Sequence, residues 1–170
     1  MRIAIAADHN GVALKSQLIA RLTAQGHEVD NRGTDGHDPV DYPVLCLEVG
    51  RLVAGGRADR GIIVGGSGQG EHIACNKIHG IRAGLGFDRF TTEISRLNND
   101  SNVLILGAKV ISSELALELA DLWLTTGFRG GIHQHRVDAI MAIERDESSS
   151  LPDARGAGGP GRSGRVRPPR

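Results

Sequence analysis

Two short polar segments carry the residue types from which a reaction could be built. One is Asp8-His9-Asn10-Gly11, the other Gly65-Gly66-Ser67-Gly68-Gln69-Gly70-Glu71. In the second, closely spaced glycines let a ligand approach the main chain, and a helix that follows leaves its first amides unpaired, so several N–H donors can face an anion. A carboxylate comes next. Amides and carboxylate together suit one task, which is to hold a developing oxyanion while a base removes a proton from the neighbouring carbon. The same residues also have a plain structural reading, a strand-to-helix turn in which Glu71 complements the helix dipole. Nucleotide patterns do not fit: a phosphate-binding P-loop has Lys after its last glycine, where Glu71 carries the opposite charge. A dinucleotide fingerprint is G-x-G-x-x-G on the first strand, whereas this G-x-G-x-G follows the third.

Asp8 reads either as a cap of the first helix or as a ligand-facing carboxylate, and His9 beside it favours the second. Among the seven histidines, His27, His37, His72 and His79 read as surface or loop residues, and His133 and His135 flank Gln134. Residues two apart do not share a helix face and no third ligand has suitable spacing, so no metal is expected. Cys75, one turn beyond Glu71, reads as a small buried thiol, because no base is paired with it.

Positioning these segments requires an alternation of strands and helices. RIAIAA (2–7) is a short apolar run, and the following GVALKSQLIARLTAQG places Leu14, Leu18 and Leu22 at helical spacing. The pattern repeats: strands at 27–31, 61–66, 81–86 and 102–107, and helices from about Pro43 to Val53, from about Glu71, through Phe90 and Leu97, at 112–126 and at about 133–146. This predicts an α/β protein, a three-layer α/β/α sandwich with a Rossmann-like five-stranded parallel sheet, whose ligands bind beyond the carboxyl ends of the strands.

Composition bounds the rest. The 170 residues make one domain, 39% hydrophobic and 24% charged, with 20 basic against 20 acidic residues. The balance is uneven, since residues 1–147 are mildly acidic and only the tail is basic, so the folded body offers no field for nucleic acid, and no apolar run is long enough to cross a bilayer. Two cysteines and an N-terminal segment that does not read as a cleavable signal predict a reducing, cytoplasmic setting. The domain is expected over 1–147; residues 148–170, rich in Gly, Pro, Ser and Arg, read as a disordered tail without aromatic partners for its arginines.

Taken in order, ADHNG, DYP (41–43), GGSGQGE (65–71), NK (76–77), GIRA (80–83), NND (98–100) and GGIHQHRVDAI resemble the type B ribose-5-phosphate isomerases. Isomerases of galactose 6-phosphate, allose 6-phosphate and four-carbon sugar phosphates share that family. The resemblance spans residues 1–146. It implies an aldose–ketose isomerisation through a cis-enediol(ate) with no metal or other cofactor, in a homodimer or dimer of dimers whose active sites lie at the subunit boundary. One branch uses a cysteine where this chain has Gly65; the other uses a glutamate where it has Glu71. The resemblance therefore makes Glu71 the base, with Ser67 and the amides of Gly66, Gly68, Gln69 and Gly70 as the anion hole. Asp8 and Asn99 would hold hydroxyls, Tyr42 would line the pocket, and His9, Lys109 and Arg136, with His133 nearby, would grip phosphate.

Three departures bear on the substrate. Ile132 and Lys109 stand where relatives usually carry arginine, which removes one bidentate fork and turns another into a point charge. Asn98 stands where relatives acting on ribose 5-phosphate place a ring-opening histidine, and an amide cannot relay a proton as imidazole does. Ribose 5-phosphate/ribulose 5-phosphate is the leading pair. A linear four-carbon sugar phosphate, a hexose 6-phosphate and a non-catalytic sugar-phosphate binder are the alternatives. For Glu71, helix amides lower the pKa and burial raises it, and net elevation is expected once substrate excludes water.

Overall fold

The computed structural model describes residues 1–36 and 38–146, so the expected tail at 148–170 and His37 lie outside the described residues. Five strands and six helices follow in the order β1 (Arg2–Ala7), α1 (Val12–Ala24), β2 (Glu28–Asn31), α2 (Tyr42–Ala54), β3 (Arg60–Gly65), α3 (Gln69–Cys75), β4 (Ala83–Gly86), α4 (Arg89–Leu97), β5 (Val103–Gly107), α5 (Ser113–Thr125) and α6 (Ile132–Glu144). The strands pair in the order β2-β1-β3-β5-β4, and every pair is parallel. This is the expected α/β architecture.

Period-two alternation along the central strands decides what each helix covers. Ile3, Ile5, Ile62, Val64, Leu104 and Leu106 face one side, where Leu14, Leu18 and Leu22 of α1 and Ala116, Ala120 and Trp123 of α5 close over them. Ala4, Ala6, Ile63, Val103 and Ile105 face the other, under Cys46, Val49 and Val53 of α2 and Cys75 of α3. The strands carry apolar residues on both faces because both faces are buried. The helices begin where local chemistry allows: Asp88 Oδ1 accepts from Thr91 N at 2.8 Å to start α4, and Ser112 Oγ accepts from Leu115 N at 3.2 Å to start α5.

The strand order switches direction between β1 and β3: β2 is added on the outer side of β1, and β5 and β4 lie on the outer side of β3. Register aligns Ala7 with Val64 and Gly65 with Gly107, so the loops that leave these strands stand side by side. A crevice at such a switch point is where open α/β sheets take ligands.

α6 runs past the opposite edge. Glu144 accepts from Gly80 N with both carboxylate oxygens, at 2.9 and 3.0 Å, and Arg82 Nη1 lies 3.6 Å from Met141 Sδ. Ile132, Ile140 and Ile143 of α6 stay exposed.

Candidate active site

The β3–α3 turn is built around a left-handed residue. Gly68, with φ 79°, caps α3, so the helix begins at Gln69 and Glu71 is its third residue, two positions later than the expected start at Glu71 implies. Amides of a first helical turn have no carbonyl partner within their own helix. Gln69 N instead donates to Ser67 Oγ at 3.3 Å. The turn is tied to β5, since Gly65 O accepts from Ala108 N and Gly66 O from Lys109 N, both at 2.9 Å.

Glu71 does not point to bulk solvent; it is 4% exposed. Its carboxylate lies against the Cα of Gly65, where a methyl group would come within 2.0 Å of Oε1. Burial pushes the carboxyl above its ordinary value, and the negative charge of Asp8 adds to the rise, while hydrogen bonding to its own backbone amide opposes it. Desolvation outweighs the bond to its own amide.

The β1–α1 turn closes one side. Asp8, 6% exposed, accepts from Asn10 N at 2.8 Å, Gly11 N at 3.2 Å and Asn10 Nδ2 at 2.9 Å. It shapes the turn before α1, whose N-cap is Gly11 without a side-chain bond. Asn10 Nδ2 also lies 3.1 Å from His9 Nε2 and 3.4 Å from where a Gly66 Cβ would stand, so this amide sits where the two loops meet. Motif reading left Asn10 without a task. On the other side the Tyr42 ring rests on Gly70, where a Cβ would meet its hydroxyl at 2.5 Å. Beneath the turn, Cys46 Sγ lies 3.8 Å from Glu71 O. The Cys75 thiol is pushed well above its ordinary range by its hydrogen bond with the free Cys46 thiol and by burial, which removes it as a nucleophile.

A cavity of about 280 Å³ opens beside Ser67 and Gln69, walled by Leu85, Gly86, Phe87, Gly107 and Val110. A larger one, about 390 Å³, lies at the amino edge of the sheet, lined by Ile81, Arg82, Asn99 and Met141 among others.

The single chain therefore brings together Asp8, His9, Tyr42, Gly66, Ser67, Gly68, Gln69, Gly70, Glu71 and Lys109. Asn98, Asn99, His133 and Arg136 are elsewhere. Asn98 caps the C-terminus of α4 and Asn99 follows in the turn into β5, which places both at the amino edge. The five residues of β5 separate that edge from Gly107 by about 15 Å. Arg129 N donates to Leu97 O at 3.0 Å, which brings the start of α6, with His133 and Arg136, to the same edge. Asn98 Oδ1 is buried there without a hydrogen-bond partner. His133 and His135 belong to no cluster of three metal-ligand side chains among the described residues.

Comparison with known proteins agrees with the geometry. The ribose/galactose isomerase family matches residues 3–140. The chain is 43% identical to ribose-5-phosphate isomerase B of Escherichia coli (strain K12) over 144 residues, 85% of this chain and 97% of that protein. It superposes on the solved ribose-5-phosphate isomerase B of Clostridium thermocellum with TM-score 0.85 and 42% identity, covering 86% and 99% of the two chains. The enzyme of Mycoplasma genitalium, solved with bound ribulose-5-phosphate, gives TM-score 0.83 and 31% identity over 85% and 97%.

Proposed function

The chain belongs to the ribose/galactose isomerase family, and from that premise we propose that it interconverts ribose 5-phosphate and ribulose 5-phosphate with Glu71 as the base. The observation that carries the assignment of the base is the Glu71 carboxylate, buried against Gly65 at the head of an amide-rich turn and raised in pKa.

In the aldose, Glu71 takes the proton on C2 as the C1=C2 double bond forms and charge moves to O1, which Ser67 and the amides at 66–70 stabilise. The O2 proton passes to O1 across the cis-enediolate, which moves the charge to O2, and as the C2 carbonyl forms Glu71 returns its proton to C1. Asp8 and Asn99 would hold hydroxyls, Tyr42 the wall, and His9, Lys109, His133 and Arg136 the phosphate.

Three of those residues, Asn99, His133 and Arg136, stand at the far edge of the same chain, so this reading includes a homodimer in which each copy lends its amino edge to the other's Glu71. Exposed Ile132, Ile140 and Ile143 on α6 support such an assembly. A reducing, cytoplasmic setting belongs to the same reading, supported by free Cys46 and Cys75 and by the lack, among the described residues, of a helix long and apolar enough to cross a membrane.

Asn98 supports a second substrate, a linear four-carbon sugar phosphate that needs no ring opening. The test is a parallel assay on four-, five- and six-carbon aldose and ketose phosphates, with exchange of the carbon-bound proton followed in deuterated water. Turnover of the pentose pair with the highest kcat/KM is expected; a larger value for the four-carbon pair moves the assignment there, and absence of exchange with every sugar overturns the isomerase reading.

A further inference from the structure

Asp100 adopts a conformation that residues with a side chain rarely hold, φ 46°, at the turn from α4 into β5. Aspartate and asparagine tolerate that region better than other side chains. Its carboxylate is divided between two arginines from different elements: Oδ1 accepts from Arg96 Nη1 at 2.7 Å, and Oδ2 accepts from Arg82 Nη2 at 2.8 Å. Both guanidiniums go on to grip the backbone of the same turn. Arg82 donates to Asn99 O at 3.2 Å and to Asp100 O at 2.8 Å, and Arg96 donates to Ser101 O at 2.6 Å. Arg96 is 4% exposed and lies over the Trp123 ring, whose Nε1 donates to Ser101 Oγ.

This is more bracing than a short helix-to-strand turn needs, and it surrounds exposed Asn99. Arg82 also reaches Met141 of α6, the helix that carries His133 and Arg136. We infer that the Arg82–Asp100–Arg96 knot is a positioning device that holds Asn99, and through Met141 the helix with His133 and Arg136, as one rigid half-site offered to Glu71 of a second copy. The inference rests on the reading that those residues act across a dimer. In this reading Arg82 and Asp100 act through Asn99 and α6 and not on the substrate.

Asp100→Asn keeps the size and the left-handed tolerance and loses the charge; Arg82→Lys keeps the charge and loses the planar fork. Each is expected to raise KM for ribose 5-phosphate about tenfold while kcat falls less than about threefold, because the base and its amides belong to the other half-site. Unchanged KM in a folded variant, or a drop in melting temperature and kcat with KM constant, assigns the knot a structural role only and overturns the inference. Should Asp100→Asn fold poorly, Arg82→Lys carries the test.

Co-expression with Glu71→Gln adds a second readout. In a random mixture about half of the dimers are mixed, each with one undamaged site, so at low substrate the Asp100→Asn/Glu71→Gln mixture should recover about a quarter of wild-type activity, against about a twentieth for the mean of the two parents. The Asn99→Ala/Glu71→Gln mixture is the control. Recovery with Asn99→Ala but not with Asp100→Asn defeats the knot and leaves the shared-site reading standing. Recovery with neither defeats both.

Discussion

Glu71 occupies a place where its ionised form is disfavoured, and that has opposite consequences for activity and stability. A folded-state pKa above the ordinary one means that the native protein binds the proton more tightly than the unfolded chain, so stability falls as pH rises from the usual carboxylate range through the raised value. Glu71→Gln removes this penalty. The variant should melt higher than wild type at neutral pH, with the difference vanishing as the pH falls below the usual carboxylate range. Its kcat should meanwhile drop by about a thousandfold or more while sugar-phosphate binding persists, because the shape stays and the base is gone. Calorimetry across pH checks the first expectation, steady-state kinetics and ligand-induced melting shifts the second. The acid limb of kcat/KM should likewise lie above the titration of a free carboxylate.

Asn98 belongs to the same scale. If ring opening limits turnover of ribose 5-phosphate, Asn98→His should raise kcat on that sugar several-fold and leave the rate on a linear four-carbon substrate unchanged, since imidazole transfers a proton that an amide cannot. Equal rates with and without the histidine would show that the ring opens by another route. The buried, unpartnered Oδ1 of Asn98 is consistent with a position not tuned for proton transfer in the isolated chain.

At the scale of elements, the β3–α3 turn derives its geometry from close approach. A side chain at position 70 must displace the Tyr42 ring, so Gly70→Ala should lower kcat/KM about tenfold or more while the far-UV spectrum and melting temperature change little. Motif spacing made this turn legible, because glycine, serine and glutamate have few other reasons to be so arranged. The central strands were legible too, since RIAIAA, GIIVGG and NVLILG are short apolar runs of strand length, whereas the edge strand β2, EVDN, carries no such run. Side-chain partners were not. Lys15, to which motif reading gives no task, is fully buried and donates to Asn31 Oδ1, Thr34 O and Asp35 Oδ1 at 2.8, 2.7 and 2.6 Å. Its three- and seven-residue spacing to Leu18 and Leu22 was the available signal, whereas acceptors sixteen to twenty residues away appear only after folding. Lys15→Met should leave the global melting temperature nearly unchanged, because an apolar side chain fills the buried site, and should raise amide exchange at 32–36, where the loop loses its anchor.

Across the whole molecule, the decisive fact is that one chain carries its candidate site residues at two ends of one sheet. Sequence order could not reveal this: Asn98 and Asn99 are fewer than thirty residues from Glu71, and only the direction of β5 shows that the separation in space is the full length of a strand. A parallel sheet forces the outcome, because each strand that delivers a loop to the carboxyl edge must be entered from the amino edge, where α4 and α5 both end. Under the dimer reading the catalytic unit is an assembly, and activity becomes a function of concentration. Specific activity should stay constant above the dissociation constant of the dimer and decline on dilution below it, in step with the loss of dimer measured by mass photometry. Substrate should shift that midpoint to lower concentration, because a ligand held by both copies binds the dimer and not the monomer. A constant specific activity through the monomerisation range would mean that one chain completes the reaction alone, and would require α6 and the Asn98-Asn99 turn to reach Glu71 by a rearrangement of the single chain.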